Sequence, residues 1–400
     1  MRLRLVVVGI VALLGGLGVT AGARGAPPGR YIVLLKDSVA SPASVAHAHA
    51  AAQHAQVGFI YSAAIKGYSA TMSAAAVRAL RTDPQVAAVV PDREVHLAAQ
   101  TLPTGINRVD GERSSTVSGN GSGSVSVDIA ILDTGIDTGH PDLNVVGGVA
   151  CNGSGYKDGN GHGTHVAGIA AARDNGTGVV GVAPGARLWA VRVLNASGSG
   201  AWSNLLCGVD WVTRNAARIE VANMSLGGSG SEPSGTGCST GDVLHDAVCR
   251  SVAAGVTYAV AAGNATANVA GVVPAAYNEV ITVSSLADFN GRAGGGAAAT
   301  CRSDIDDTFA NSSNYGSDVD LIAPGVCISS TYVGGGSKTL SGTSMASPHV
   351  AGAAALYKAS HSGASPSQVK SALKSAANLN WNNIDDPDGI KERLLNVDTL

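Results

Sequence analysis

The 400-residue chain carries a formal net charge of −3, is 45% apolar and only 4% aromatic, and contains 53 glycines. This composition argues against a disordered chain and can support a sizeable core built from tightly packed helices and buried strands. Residues 1–98 hold nine Lys and Arg against four Asp and Glu, so 17 basic and 25 acidic residues remain beyond them; the acidic balance of that later part disfavours nucleic-acid binding, which needs clustered cations.

In chain order, Arg2 and Arg4 precede an apolar run over 5–19 that ends near Ala21-Gly22-Ala23. That is the three-part pattern of a secretory signal peptide, assigned to 1–23. A membrane anchor would need roughly 20 apolar residues, more than this glycine-interrupted run offers. The mature protein is therefore expected outside the cell and off the membrane. Residues 31–35 read as a strand, 41–54 as a helix, 58–72 as two short strands about Gly67, 73–80 as a helix and 86–95 as extended. This β-α-β-β-α-β order describes a small open-faced α+β sandwich over 24–98. The small and kinked residues of 96–104 then suggest an exposed linker.

Over 99–400, short apolar strands at 125–132, 188–193, 221–225, 256–262 and 280–283 alternate with helical patterns at 162–172, 202–215, 242–254, 344–360 and 367–377. The alternation predicts an α/β fold whose mostly parallel sheet is covered by helices on both faces. Ligands in such sheets gather at the carboxyl ends of the strands. The glycine-rich stretches 117–124 and 294–296 read as surface loops. Six cysteines, all beyond residue 150, suit disulfides in an oxidising compartment, and no Cys-x-x-Cys pair suggests structural zinc. Proximity in sequence suggests Cys151 with Cys207, Cys238 with Cys249 and Cys301 with Cys327, out of fifteen possible connectivities.

Three blocks carry chemistry. In Ile131-Leu-Asp-Thr-Gly-Ile-Asp137 a buried-strand run stops at Asp133; alone, this is an ordinary strand-to-turn aspartate. In Asp158-Gly-Asn-Gly-His-Gly-Thr-His-Val-Ala-Gly168 a glycine-rich loop enters a helix at His162. His165 follows on the same face, but the block lacks the glutamate and spacing of a zinc motif. In Ser341-Gly-Thr-Ser-Met-Ala-Ser-Pro-His-Val-Ala-Gly352, Ser344 opens a helix whose unpaired N–H groups favour developing negative charge. Pro348 is expected near that first turn, with Ser341 or Ser347 as a possible N-cap. A serine needs a base, and the base a carboxylate to orient it.

These blocks resemble those of the subtilisin family nearly letter for letter, including the chain order Asp, His, Ser. The resemblance implies a subtilisin-like three-layer fold for 99–400, a serine endopeptidase acting on protein or peptide substrates, and Asp133, His162 and Ser344 as its triad. Ala261-Ala-Gly-Asn264 matches the family block whose asparagine, here Asn264, helps hold the oxyanion. Ser225, Leu226, Gly227 and Gly228 would line the substrate cleft, facing Ala262 and Gly263 across the first pocket. Trp202 falls where the family often has an aromatic rim. Small residues around Ala261 and Val272 suggest a permissive, apolar first pocket.

The resemblance continues without a gap from His162 into the family's calcium loop. It implies ligation by the carbonyls of Arg173, Thr177 and Val179, by Asn175, by the Asp142 carboxylate and by Gln100; mixed oxygen donors of this kind suit calcium. A second calcium site at Asp320, with carbonyls near Ala275 and Tyr277, is a weaker expectation. Residues 24–98 would be a prodomain that assists folding and inhibits the enzyme until it is cut just before Ala99. The insertions 230–242 and 294–307 depart from the family pattern. Two other readings compete: a catalytically silent peptide-binding scaffold, and a metal hydrolase using His162 and His165.

Overall fold

A computed structural model describes residues 28–92, 99–235 and 237–400. The proposed signal peptide, its cleavage site and the segment immediately before Ala99 lie outside those residues. The chain divides into two compact units at the boundary between His96 and Leu97.

In the first unit, four antiparallel strands stand in the spatial order Gln56–Tyr61, Gly67–Met72, Gly29–Leu35, Val86–Pro91. Helices Pro42–Gln53 and Ala74–Leu80 pack on them, each started by a serine whose hydroxyl accepts a free backbone N–H, Ser41 from Ser44 and Ser73 from Ala76. Val33, Leu35, Ala46, Tyr68, Met72 and Leu80 form its core. The order of elements is the expected one, with the second strand beginning at Gln56 rather than 58 and the last ending at Pro91; residues 93–95 of its expected range lie outside the described residues.

The second unit is built on a mostly parallel sheet. Its strands run in the order Thr308–Phe309, Ile281–Ala287, Thr257–Ala261, Val221–Met224, Asp128–Asp133, Arg187–Arg192, Val145–Ala150, and Leu321–Pro324 also pairs with Ile281–Ala287. Thr308–Phe309 runs antiparallel to its neighbour, and the other described pairings in the sheet are parallel. The strand Asp128–Asp133 is buried along its whole length. Ile129 and Ile131 join one core, which contains the helices His162–Ala171, Thr343–Ser360 and Pro366–Ala376; Ala130 and Leu132 join another, beneath Trp202–Arg214 and Val243–Ala253. Successive side chains on one strand thus feed opposite faces, giving three layers.

The sequence pattern missed several short elements, among them Thr308–Phe309 and Leu321–Pro324 of the sheet, and for two others the physical reason is plain. Strand Val145–Ala150 contains Gly147 and Gly148, which weaken any periodic signal; a side chain at Gly148 would collide with the Ala190 carbonyl. The hairpin Ile328–Tyr332 with Gly336–Leu340 is polar and half-exposed, so it carries no hydrophobic run to detect. The 117–124 loop has a purpose beyond connection: the N–H groups of Gly119, Gly121 and Gly123 all donate to the buried Asp174 carboxylate. Disulfides join Cys151 to Cys207, Cys238 to Cys249 and Cys301 to Cys327, the pairs that sequence proximity suggested.

Candidate active site

Asp133 is the last residue of its strand and is completely buried. Its Oδ1 accepts the Thr134 N–H at 2.7 Å, and its two oxygens lie 2.8 and 2.9 Å from His162 Nδ1. His162 begins the helix His162–Ala171. The close approach of helix and strand depends on Gly163, where a side chain would overlap the Gly135 carbonyl and crowd Asp133. Burial disfavours protonation of His162, but the charge of Asp133, its hydrogen bond and the charge of Asp158 outweigh this and raise the imidazole pKa above 6.5.

Asp158 was not singled out from the sequence. Its carboxylate accepts from Thr134 Oγ1, the N–H groups of Asn160, Gly161 and Thr164, and Thr164 Oγ1, at 2.6–2.9 Å. Thr134 Oγ1 in turn accepts the Gly163 N–H. This one buried carboxylate fastens the first turn of the His162 helix to the strand end that carries Asp133. Its position four residues before His162, at the entrance to a helix, was the available signal.

Ser344 is the second residue of the helix Thr343–Ser360. The N-cap is Gly342, not Ser341 or Ser347: Ser341 Oγ accepts the Cys327 N–H, and Ser347 donates to Asn223 Oδ1. A side chain at Gly342, whose φ of 142° is itself unfavourable for other residues, would press on the Asn264 amide. Pro348 stands in the second turn rather than the first. Having no N–H, it leaves the Ser344 carbonyl without its helical donor. The Ser225 hydroxyl donates to that carbonyl at 2.8 Å and accepts from Asn223 Nδ2. The Ser344 hydroxyl donates to the Ser225 carbonyl at 3.3 Å, and among the described residues no hydrogen bond joins it to His162. Nucleophile–base contacts of this kind are commonly long without substrate.

Asn264 is exposed, and its Oδ1 accepts the Thr343 N–H at 2.8 Å. That bond fixes the amide so that Nδ2 is left free to donate. A cleft of about 680 Å³ is lined by His162, Trp202, Ser225, Leu226, Gly227 and Gly228, among others. Trp202 is 42% exposed and its ring covers Gly228, where a side chain would not fit. Ala262 and Gly263 are not part of this lining. The Ala262 carbonyl and the Gly263 N–H and carbonyl are engaged by Asn314 and Thr343.

His165 does not pair with His162. It is fully buried, its Nε2 faces the carbonyls of Ile328 and Lys338 at 3.1 and 2.9 Å, and burial lowers its pKa to about 4. It anchors the polar hairpin as a neutral ring, which removes the basis for a two-histidine metal centre.

The expected calcium residues do come together. Gln100 Nε2 donates to the carbonyls of Arg173 and Val179, so both oxygens converge on one point. The buried Asp142 carboxylate meets Asn175 Nδ2 and the Val179 N–H, and Thr177 lines a pocket of about 290 Å³ with Asp142 and Val179. Backbone bonds from Gln100 and Thr101 to Gly176 and Gly178 zip the start of the second unit onto this loop. Converging carbonyls, an amide and a buried carboxylate fit an oxygen-preferring cation. At Asp320 the expectation fails. Lys370 and Lys374 meet its two oxygens at 2.7 and 2.9 Å, and Lys370 also donates to the carbonyls of Asn278 and Val280. Ammonium groups supply the positive charge there.

A buried aspartate, an imidazole and a helix-start serine at the carboxyl edge of a parallel sheet define a serine-hydrolase class of site. Residues 124–391 match the subtilase family, peptidase S8, and residues 30–98 match the peptidase inhibitor I9 family. The chain is 36% identical over 371 residues to subtilisin J of Geobacillus stearothermophilus, covering 90% of this chain and 88% of that protein. It is 42% identical over 285 residues to subtilisin DY of Bacillus licheniformis, covering 70% and 92%. A crystal structure of a cold-adapted subtilisin-like serine proteinase superposes with a TM-score of 0.58 at 35% identity, covering 74% of this chain and 97% of the other. The chain belongs to the subtilase family: it is a subtilisin-like serine endopeptidase with an I9-type propeptide.

Proposed function

We propose that the protein is a secreted, autoprocessed endopeptidase of broad, apolar-leaning specificity in which Ser344, His162 and Asp133 form the triad. Ser344 Oγ attacks the scissile carbonyl as His162 Nε2 takes its proton, forming a tetrahedral intermediate. Asp133 keeps Nδ1 protonated and stabilises the imidazolium. Asn264 Nδ2 and the Ser344 N–H bind the oxyanion, the asparagine contributing on the order of 3 kcal/mol. Collapse of the intermediate gives an acyl-enzyme and passes the proton to the leaving amine; water then repeats the sequence. Ser225 to Gly228 hold the substrate main chain, with Trp202 at the rim and Ala262 and Gly263 behind the first pocket.

The observation that carries this reading is the bidentate contact of buried Asp133 with His162 beside a helix-start serine. A folded Ser344→Ala protein should lose peptide hydrolysis and labelling by a serine-directed phosphonate; hydrolysis at the parent rate would refute the assignment. A silent scaffold would resist the phosphonate from the outset.

Residues 24–98 act as the intramolecular inhibitor, and cleavage just before Ala99 frees an N-terminus next to Gln100, which already lies against the proposed calcium loop. Gln100, Asp142, Asn175 and the carbonyls of Arg173, Thr177 and Val179 hold the ion, which stabilises the fold and takes no part in the chemistry. A calcium-selective chelator should lower the melting temperature of the mature, phosphonate-inactivated protein, with restoration on adding calcium back. An unchanged melting temperature would count against the loop.

A further inference from the structure

The geometry points to a further metal site, for a zinc-class divalent cation, formed by His245, Glu232 and Glu279. These residues come from the helix Val243–Ala253, the 230–242 insertion and the turn before the strand Ile281–Ala287. One donor atom from each lies within 4.8 Å of the others. His245 Nε2 is 3.4 Å from Glu279 Oε2 and 3.7 Å from Glu232 Oε1. Both separations are too long for good hydrogen bonds. Among the described residues, His245 Nε2, Glu279 Oε2 and Glu232 Oε2 are buried without a hydrogen-bond partner.

The spacing suits an ion between them. Two ligands about 2.1 Å from a tetrahedral centre stand about 3.4 Å apart. The imidazole side chain is only 3% exposed, whereas the Glu232 and Glu279 side chains are 31% and 25% exposed, leaving an approach from solvent and a place for water as fourth ligand. The ring is already oriented. It stands T-shaped to the Tyr277 ring with centroids 5.0 Å apart, and its Nδ1 faces Thr240 Oγ1 and Asp246 Oδ1 at 3.3 and 3.4 Å. A carboxylate behind the non-ligating nitrogen is the usual support of a metal-bound histidine. Asn278 Nδ2 likewise steadies Glu232 Oε1 at 3.0 Å. One imidazole nitrogen with two carboxylates favours zinc-class ions over calcium or magnesium, which prefer all-oxygen shells. Bound metal would fasten the insertion, already linked to the helix by Cys238–Cys249, to the 278–279 turn.

The test uses the purified, phosphonate-inactivated protein, stripped of transition metals and kept in calcium so that the other loop stays filled. Titration with cobalt(II) should give a visible absorption band of tetrahedral type saturating at one equivalent, and zinc should displace it. His245→Gln, and separately the shape-conserving pair Glu232→Gln with Glu279→Gln, should weaken zinc binding by about 100-fold or more, beyond the usual loss for an outer partner. Phosphonate labelling before inactivation reports that each variant is folded. Absence of the band in the parent protein, as for an imidazolium that simply bridges the two carboxylates, would overturn the site. So would binding that is unchanged in the folded variants.

Discussion

At the scale of single residues, the balance between burial and charge at His162 would set the working pH of the proposed mechanism. Burial alone would push the imidazole toward its neutral form, but Asp133 and then Asp158 hold the pKa above 6.5. A protonated ring cannot accept the serine proton, so activity should fall as pH drops through that raised value. In Asp133→Asn the ascending limb of kcat/KM should move to lower pH, and the rate should fall about 10⁴-fold. A pH–rate profile of parent and variant checks both; an ascending limb that does not move would mean that Asp133 does not set the imidazole's charge. His165 shows the opposite balance. Three positions along, with carbonyls instead of a carboxylate beside it, the same residue type is held neutral to about pH 4.

At the scale of elements, catalytic geometry depends on how two helices start. The His162 helix has a glycine N-cap with no side-chain cap of its own, and Asp158 satisfies its first turn instead. Asp158→Asn removes an acceptor oxygen and should let that turn drift relative to Asp133. The expected result is a fall in kcat of about 10- to 100-fold with KM nearly unchanged, because misplacement of the base affects the chemical step rather than substrate docking. Steady-state kinetics on a peptide substrate would decide it; an equal change in KM would point to the cleft instead. The Ser344 helix solves a different problem. Pro348, in its second turn, frees the Ser344 carbonyl in its first, and Ser225, just beyond the strand Val221–Met224, donates to it, so the wall of the cleft is bonded directly to the residue of the proposed nucleophile.

Across the whole molecule, buried charges link distant segments. Arg108 contacts Asp288 and Asp307 and donates to the Asn380 carbonyl, joining the start of the second unit to the 294–307 insertion and the C-terminal region. Among the described residues Glu392 has no such partner. Burial, then the nearby charges of Asp386 and Asp388, raise its pKa to about 8 from 4.5, and both of its oxygens lack hydrogen bonds. The folded state therefore holds a proton that the unfolded chain releases above pH 4.5, so this group's contribution to stability declines from about pH 4.5 to about pH 8. Glu392→Gln should remove that decline and stabilise the protein at alkaline pH by about 2–4 kcal/mol, with little effect in acid. Melting temperatures measured on both sides of this window test it; equal slopes for parent and variant would show that Glu392 is not the group responsible.

The elements of the first unit and the longer strands and helices of the second were legible from periodicity, because buried parallel strands such as Asp128–Asp133 and amphipathic helices such as Trp202–Arg214 leave local patterns of apolar residues. The triad candidates and the proposed calcium ligands were picked out through their motif blocks, since such chemistry needs fixed residue types at fixed places in a turn or helix start. Contacts between segments far apart in sequence left no comparable trace. That Asp158 reaches Thr134 at the end of the Asp133 strand, that Lys370 and Lys374 take the Asp320 carboxylate, and that Glu232 and Glu279 converge on His245 depend on how the layers pack. The sequence by itself determined which elements form and which side chains can do chemistry, because those follow from local pattern. Only the tertiary structure decided which charges meet which partners, because those meetings are made by chain folding across dozens to hundreds of residues.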